Sequence, residues 1–184
     1  MIDPIVGGLI SISFGLMFLL AAVHKLSATG EFRAVLADYR VMPASVVPFV
    51  AILLPICEVV LGLAWLFSNI EVWLPTAGLL ALYTAGITIN LLRGRVHISC
   101  GCGFGRSTSA DDALSWGLVL RNVVLIGAAL VIAMPAAPRT VGMIDYVTLI
   151  AGLVAILFLF TAANQLIRNA AAINSWRRPV ARHD

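Results

Sequence analysis

The sequence predicts an all-α integral membrane protein, a helical bundle of about five transmembrane helices built as a four-helix core plus one. Three observations carry this prediction. Of 184 residues, 61% are hydrophobic and only 11% are charged, against about 25% charged in soluble domains, so there is too little polar surface to cover a globule in water. The apolar residues are gathered into runs of roughly the 20 residues a helix needs to cross a bilayer. Those runs are continuous rather than alternating, which reads as helix and not as barrel strand.

The spans fall at about 4–23, 44–67, 72–92, 116–134 and 143–167. Pro4 suits a first helical turn, where its missing N–H has no partner to lose. The opening MIDPIVGG carries no basic region, so the first run is read as a retained span and not as a cleaved signal. No repeat, low-complexity tract or second domain is evident, and residues 1–184 are read as one transmembrane domain. The net charge of +3 does not point to nucleic acid, because the basic residues lie between apolar runs instead of along one face.

The basic residues set the expected orientation. Lys25, Arg33, Arg40, Arg93, Arg95, Arg106, Arg168, Arg177, Arg178 and Arg182 all follow odd-numbered spans, ten of the twelve basic residues in the chain. Arg139 stands alone on the opposite side and Arg121 lies inside the fourth span. The N-terminus is therefore expected outside and the C-terminus in the cytoplasm of a bacterial inner membrane. The loop between the third and fourth spans is then cytoplasmic, unless it re-enters the bilayer.

In lipid, helices associate through close packing and hydrogen bonds. Ala77, Ala81 and Ala85, with Gly78 and Gly86 beside them, form a small-residue face on the third span, and Gly7, Gly8 and Gly15 offer the same on the first. Trp65, Trp73, Trp116 and Trp176 sit near span ends, where interfacial aromatics belong. Charges inside spans are costly and mark function or a buried pair. Glu58 is the deepest. It is expected to face the bundle interior, three residues after Pro55, whose missing N–H frees the carbonyl of Ala51 and predicts a kink. Arg121 is its expected partner. Asn90, Asn122, Asn164, Gln165 and His24 lie in the cytoplasmic half, where Lys25, Arg93 and Gln165 are read as snorkelling to the headgroups.

The chain has three cysteines, Cys57, Cys100 and Cys102. A Cys-x-Cys pair is too short to close an unstrained disulfide, and strain raises the reduction potential. Gly101 accepts the backbone angles such a ring needs, and Arg95 and Arg106 favour the thiolate. The pair suits thiol–disulfide exchange, with Cys57 as a third member if the loop reaches it. His97, Cys100 and Cys102 also form a three-ligand set for zinc or copper, although structural zinc takes four. Two small residues in a flexible turn is the bland alternative.

Over nearly its whole length the chain resembles the MauE branch of the DoxX-like membrane proteins. The resemblance rests on AAVHKL at the end of the first span and on Phe32 followed by LADYRVMP, with Tyr39 and Pro43, in the next loop. It rests further on Pro55, Glu58 and Gly62 as P-x-x-E-x-x-x-G, and on RGRVHISCGCGFG after the third span. The wider family's loop motif is Cys-x-Cys-Phe-Gly; here Gly103 is inserted before Phe104, which alters the loop's geometry but keeps the pair. The resemblance implies an accessory role in processing, export or maturation of the methylamine dehydrogenase β (small) subunit. It implies as partners that subunit and the thioredoxin-like protein MauD, with electrons passing between a quinone or cytoplasmic thiols and that exported partner. A scaffold or chaperone for the same client, or a small-solute or metal carrier, are the alternatives; the absence of an internal repeat weighs against a carrier.

Overall fold

The computed structural model describes residues 1–67, 72–95, 114–135 and 137–177, apart from the side chains of Arg168 and residues 171–177. The described chain forms six helices: α1 (Pro4–Ser27), α2 (Thr29–Tyr39), α3 (Val47–Phe67), α4 (Trp73–Leu92), α5 (Trp116–Val131) and α6 (Met143–Arg177). Four of them, α1, α3, α4 and the Met143–Ile167 part of α6, are long and apolar enough to cross a membrane. The protein is a multi-pass membrane protein. The fourth expected span is shorter than read: α5 has 16 residues and ends at Val131, about 24 Å of helix at 1.5 Å per residue.

The buried residues repeat at helical spacing. On α3 they are Val47, Ala51, Leu54, Glu58, Leu61 and Trp65, alternately four and three apart, the period of a helix–helix seam. On α1 the stripe is Phe14, Phe18, Ala22 and Lys25; on α4 it is Thr76, Leu80, Ile87 and Asn90. Phe14, Phe18, Leu61, Trp65, Val72, Leu80 and Ala129 meet in one apolar cluster. That cluster joins α1, α3, α4 and α5 into a four-helix core. α6 lies outside it, touching α1 where Gly8 faces Leu149 and Gly152 faces Leu9, and α5 where Gly117 faces Ile167. Much of α6, including Ile150, Val154 and Leu157, stays exposed, as a lipid-facing helix should.

The closest helix approach is α1 on α3. A Cβ on Gly15 would stand 2.6 Å from the Leu66 side chain and 3.2 Å from the Gly62 carbonyl oxygen, and one on Gly62 would stand 2.8 Å from Leu19 and 3.1 Å from the Gly15 oxygen. Each glycine thus makes room for the other's backbone, the small-residue contact expected of helices in lipid. The small-residue face read on the third span is used only in part: a Cβ on Gly86 would stand 3.5 Å from the Tyr39 ring of the segment that follows the first helix, whereas Ala81 and Ala85 are exposed and Gly78 has open space around it.

The 24–43 stretch, which carries no span-length apolar run, is not a simple loop. α1 continues to Ser27, and after Ala28 the chain starts α2. Phe32 of α2 packs against Ala51 and Leu54 of α3, while Tyr39 packs with Ile87, Leu114 and Leu118. α2 ends at Arg40 in the left-handed conformation, φ 46°, where the Arg93 guanidinium donates to its carbonyl oxygen at 3.2 Å. α3 continues through Pro55 as helix.

The two ends of the bundle differ in charge. At one end the Ile2 N–H donates to the Pro135 carbonyl and the Ala137 N–H to that of Ile2. There Arg139 pairs with both Asp3, at 3.1 Å, and Asp145, at 2.8 Å. The opposite end carries exposed Arg33, Arg40 and Arg93. Asp145 also accepts from the Gly142 N–H at 2.7 Å.

Gly62→Val forces a branched side chain against Leu19 and the Gly15 backbone and costs about 1–3 kcal/mol, whereas Gly78→Ala leaves the unfolding midpoint in detergent unchanged or slightly raised.

Candidate functional site

The most polar part of the interior lies at the middle of α3 and α4. Glu58 is 1% exposed and Lys25 3%. The position of each is fixed by its helical stripe: Lys25 comes three residues after Ala22 on the buried face of α1, and Glu58 lies between Leu54 and Leu61 on that of α3. The Lys25 ammonium forms an ion pair with Glu58 Oε1. Tyr83 of α4 donates its hydroxyl to the same oxygen at 2.8 Å and accepts from Lys25 Nζ at 3.3 Å. Nζ also lies 4.8 Å from the Tyr83 ring centroid and 5.4 Å from that of Phe32, close enough for cation–π attraction. One carboxylate, one ammonium and two rings thereby tie together α1, α2, α3 and α4.

This corrects two readings. Lys25 does not snorkel to the headgroups: its stripe points inward, and its stem carries the charge back along α1 toward Glu58, consistent with the N-terminal tilt of helical side chains. Arg121 does not pair with Glu58. It sits on α5 and turns to α6, donating from Nη1 to Asn164 Oδ1 at 3.0 Å and from Nη2 to Asn122 Oδ1 at 3.5 Å. Glu58 faces the interior, as the cost of a lipid-facing carboxylate requires. Trp65 is a third correction, since it is no interfacial residue. It is buried, its ring stacks on Phe14 at 5.1 Å, and its indole N–H donates to Thr76 Oγ1 at 2.8 Å. Trp116, 58% exposed, keeps the interfacial reading.

Of the thiols, Cys57 is half-buried and not in a disulfide. It precedes Glu58 at the midpoint of α3, about 100° round the helix from it. Cys100, Gly101, Cys102, His97 and Arg106 lie outside the described residues. The two ends of their loop are described. Arg95 is half-buried, and its N–H donates to the Asn90 carbonyl at 2.9 Å, while Leu114 is buried against Tyr39, Ile87 and Leu118. Both ends are thus fastened at the Arg40/Arg93 end of the bundle. Asn90 is fully buried, donates to the Gly86 carbonyl at 3.0 Å, and its Oδ1 finds no hydrogen-bond partner among the described residues.

Sequence reasoning missed Lys25 and Tyr83 as partners of Glu58, and Thr76 as partner of Trp65. The signal was present: Thr76, Leu80, Tyr83, Ile87 and Asn90 keep one seam spacing, and so do Phe14, Phe18, Ala22 and Lys25.

Neutralising one side of the buried pair tests its role. Glu58→Gln leaves an ammonium without its counter-charge and is expected to cost about 3–5 kcal/mol. Tyr83→Phe removes one hydrogen bond and costs about 1 kcal/mol. Unfolding in mixed micelles measures both.

The family model described as methylamine utilisation protein MauE matches residues 3–135, which run from the start of α1 past the end of α5. Methylamine utilization protein MauE of Paracoccus denitrificans is 38% identical over 141 residues, covering 74% of this chain and 74% of its own. That of Methylophilus methylotrophus is 31% identical over 168 residues, 90% of this chain and 87% of its own, and that of Paracoccus versutus 32% over 166 residues, 88% and 87%. No solved structure matches the chain.

Proposed function

The chain belongs to the MauE family of methylamine utilisation proteins, and from that membership we propose that it is the inner-membrane accessory protein for maturation of the methylamine dehydrogenase β subunit, acting by thiol–disulfide exchange with a thioredoxin-like partner. The coarser part of this, a methylamine utilisation accessory protein with several membrane helices, follows from the family and the helices directly. The finer part is supported by one observation above the others: both ends of the Cys100–Cys102 loop are anchored at the same end of the bundle, Arg95 through Asn90 and Leu114 through the Tyr39 cluster. The stretch that carries the dithiol therefore leaves and rejoins the bundle at that end.

The exchange balances as two electrons and two protons. The Cys100 and Cys102 thiols close to a disulfide, while a disulfide of the thioredoxin-like partner opens to two thiols; attack proceeds through a mixed disulfide by the thiolate that Arg95 and Arg106 favour. The excess of arginine at the loop's end of the bundle supports a cytoplasmic loop and an external N-terminus, and the Arg139 charge at the other end is answered by Asp3 and Asp145. Cys57, halfway along α3, is the third member of the relay: its thiolate attacks the loop disulfide, forms a bond to one loop cysteine and releases the other as a thiol. Glu58 and its partners hold α3 in register.

Two experiments bear on this proposal. Replacing Cys100 and Cys102 with serine is expected to abolish assembly of the β subunit while leaving the protein folded in the membrane; full assembly in the double variant would end the exchange mechanism and leave a scaffold. A membrane-impermeant maleimide is expected to label the loop cysteines only from the cytoplasmic side. Labelling from the outside alone would reverse the orientation.

A further inference from the structure

Arg121 is a cation inside a membrane helix that no described carboxylate answers. It lies five residues into α5, about 7.5 Å below the helix start at 1.5 Å per residue, and the helix begins at the exposed Trp116. Its partners among the described residues are neutral: Asn164 of α6 and its neighbour Asn122. Nε is buried without a hydrogen-bond partner among those residues, and the guanidinium carbon stands 6.0 Å from the Phe160 ring centroid. Lys25 shows what this bundle does with a cation that it neutralises itself; Arg121 is treated differently.

We propose that Arg121, Asn122 and Asn164 form a binding site for the phosphate of an anionic membrane lipid at the seam of α5 and α6. Both asparagines accept from Arg121 through Oδ1, which leaves each amide nitrogen to act as a donor. The guanidinium has five N–H donors and spends two on these contacts. Among the described residues the site is therefore rich in donors, positively charged and without an acid, the chemistry that selects a phosphate oxygen. The seam opens to lipid, because Val124, one turn from Arg121, and Leu157 of α6 are both exposed. A headgroup arrives there with its acyl chains against those side chains. Free phosphate from water would have to enter an apolar surround alone. The depth is within reach of an arginine stem extended toward the headgroups, and a lipid of net negative charge neutralises the cation where a zwitterion does not.

The test uses the full chain in nanodiscs. The unfolding midpoint is compared in phosphatidylglycerol-containing and pure phosphatidylcholine bilayers, and retained lipid is counted by native mass spectrometry. The wild type is expected to be stabilised by phosphatidylglycerol and to carry it through purification. Arg121→Gln is expected to lower that preference about fivefold, Asn164→Ala to lower it less, and Arg93→Gln, at the exposed helix end, to keep it. If Arg121→Gln does not fold, the Asn164→Ala variant and the wild-type lipid count decide. Wild-type preference in the Arg121 and Asn164 variants, or an equal loss in Arg93→Gln, would overturn the site; the second would mean general attraction to the basic rim. Stabilisation of lipid-free protein in detergent by millimolar inorganic phosphate, abolished by Arg121→Gln, would overturn the lipid as the source.

Discussion

A carboxylate and an ammonium held away from water, halfway through a bundle of apolar helices, constrain everything around them. Neither Lys25 nor Glu58 can turn to lipid without carrying a charge into hydrocarbon, so α1 and α3 are locked in rotation about their axes. Tyr83 extends the same lock to α4, and Phe32 brings in α2. The pair adds little net stability over a well-packed apolar substitute, because desolvation offsets much of the attraction. What it contributes is register: once it is set, Gly15 meets Gly62, and Trp65 stacks on Phe14 while donating to Thr76.

That register also sets the end of the bundle at which the described chain breaks off after Arg95 and resumes at Leu114. With α4 fixed, Ile87 comes to that end, where Tyr39, Leu114 and Leu118 pack against it. The described charges there include Arg33, Arg40, Arg93 and Arg95 against Glu31 and Asp38, whereas at the other end Arg139 is answered by two aspartates. The family match through residue 135 covers the four-helix core. α6 lies against that core at Gly8, Gly117 and Gly152 and through the Arg121–Asn164 hydrogen bond.

Much of this was readable from the residues. Composition and unbroken apolar runs give the class and the spans, because lipid allows few backbone solutions. Glu58 at the seam position of α3 announces an inward carboxylate. Its partner was not readable in the same way. Arg121 and Lys25 are equally basic, and the choice between them depends on which face each helix turns inward, which apolar composition alone does not reveal when nearly every side chain is greasy. Lys25 lay on the Phe14–Phe18–Ala22 stripe, but its place near a helix end invited the snorkelling reading. α2 escaped for a different reason. It has 11 residues and three charged side chains among them, so it lies along the bundle end instead of crossing, and span-length criteria do not see it. Trp65 shows that proximity to a span end does not make an indole interfacial when a threonine across the seam offers an acceptor.

Lys25 and Glu58 act as one unit. A double-mutant cycle measures this most directly, with Lys25→Met, Glu58→Leu and the two combined, each unfolded reversibly in mixed micelles. If the pair is a buried unit, each single change strands a charge at about 3–5 kcal/mol and the combined variant is more stable than either, so the coupling energy is at least as large as one single loss. Single losses that simply add in the double variant would contradict a buried unit.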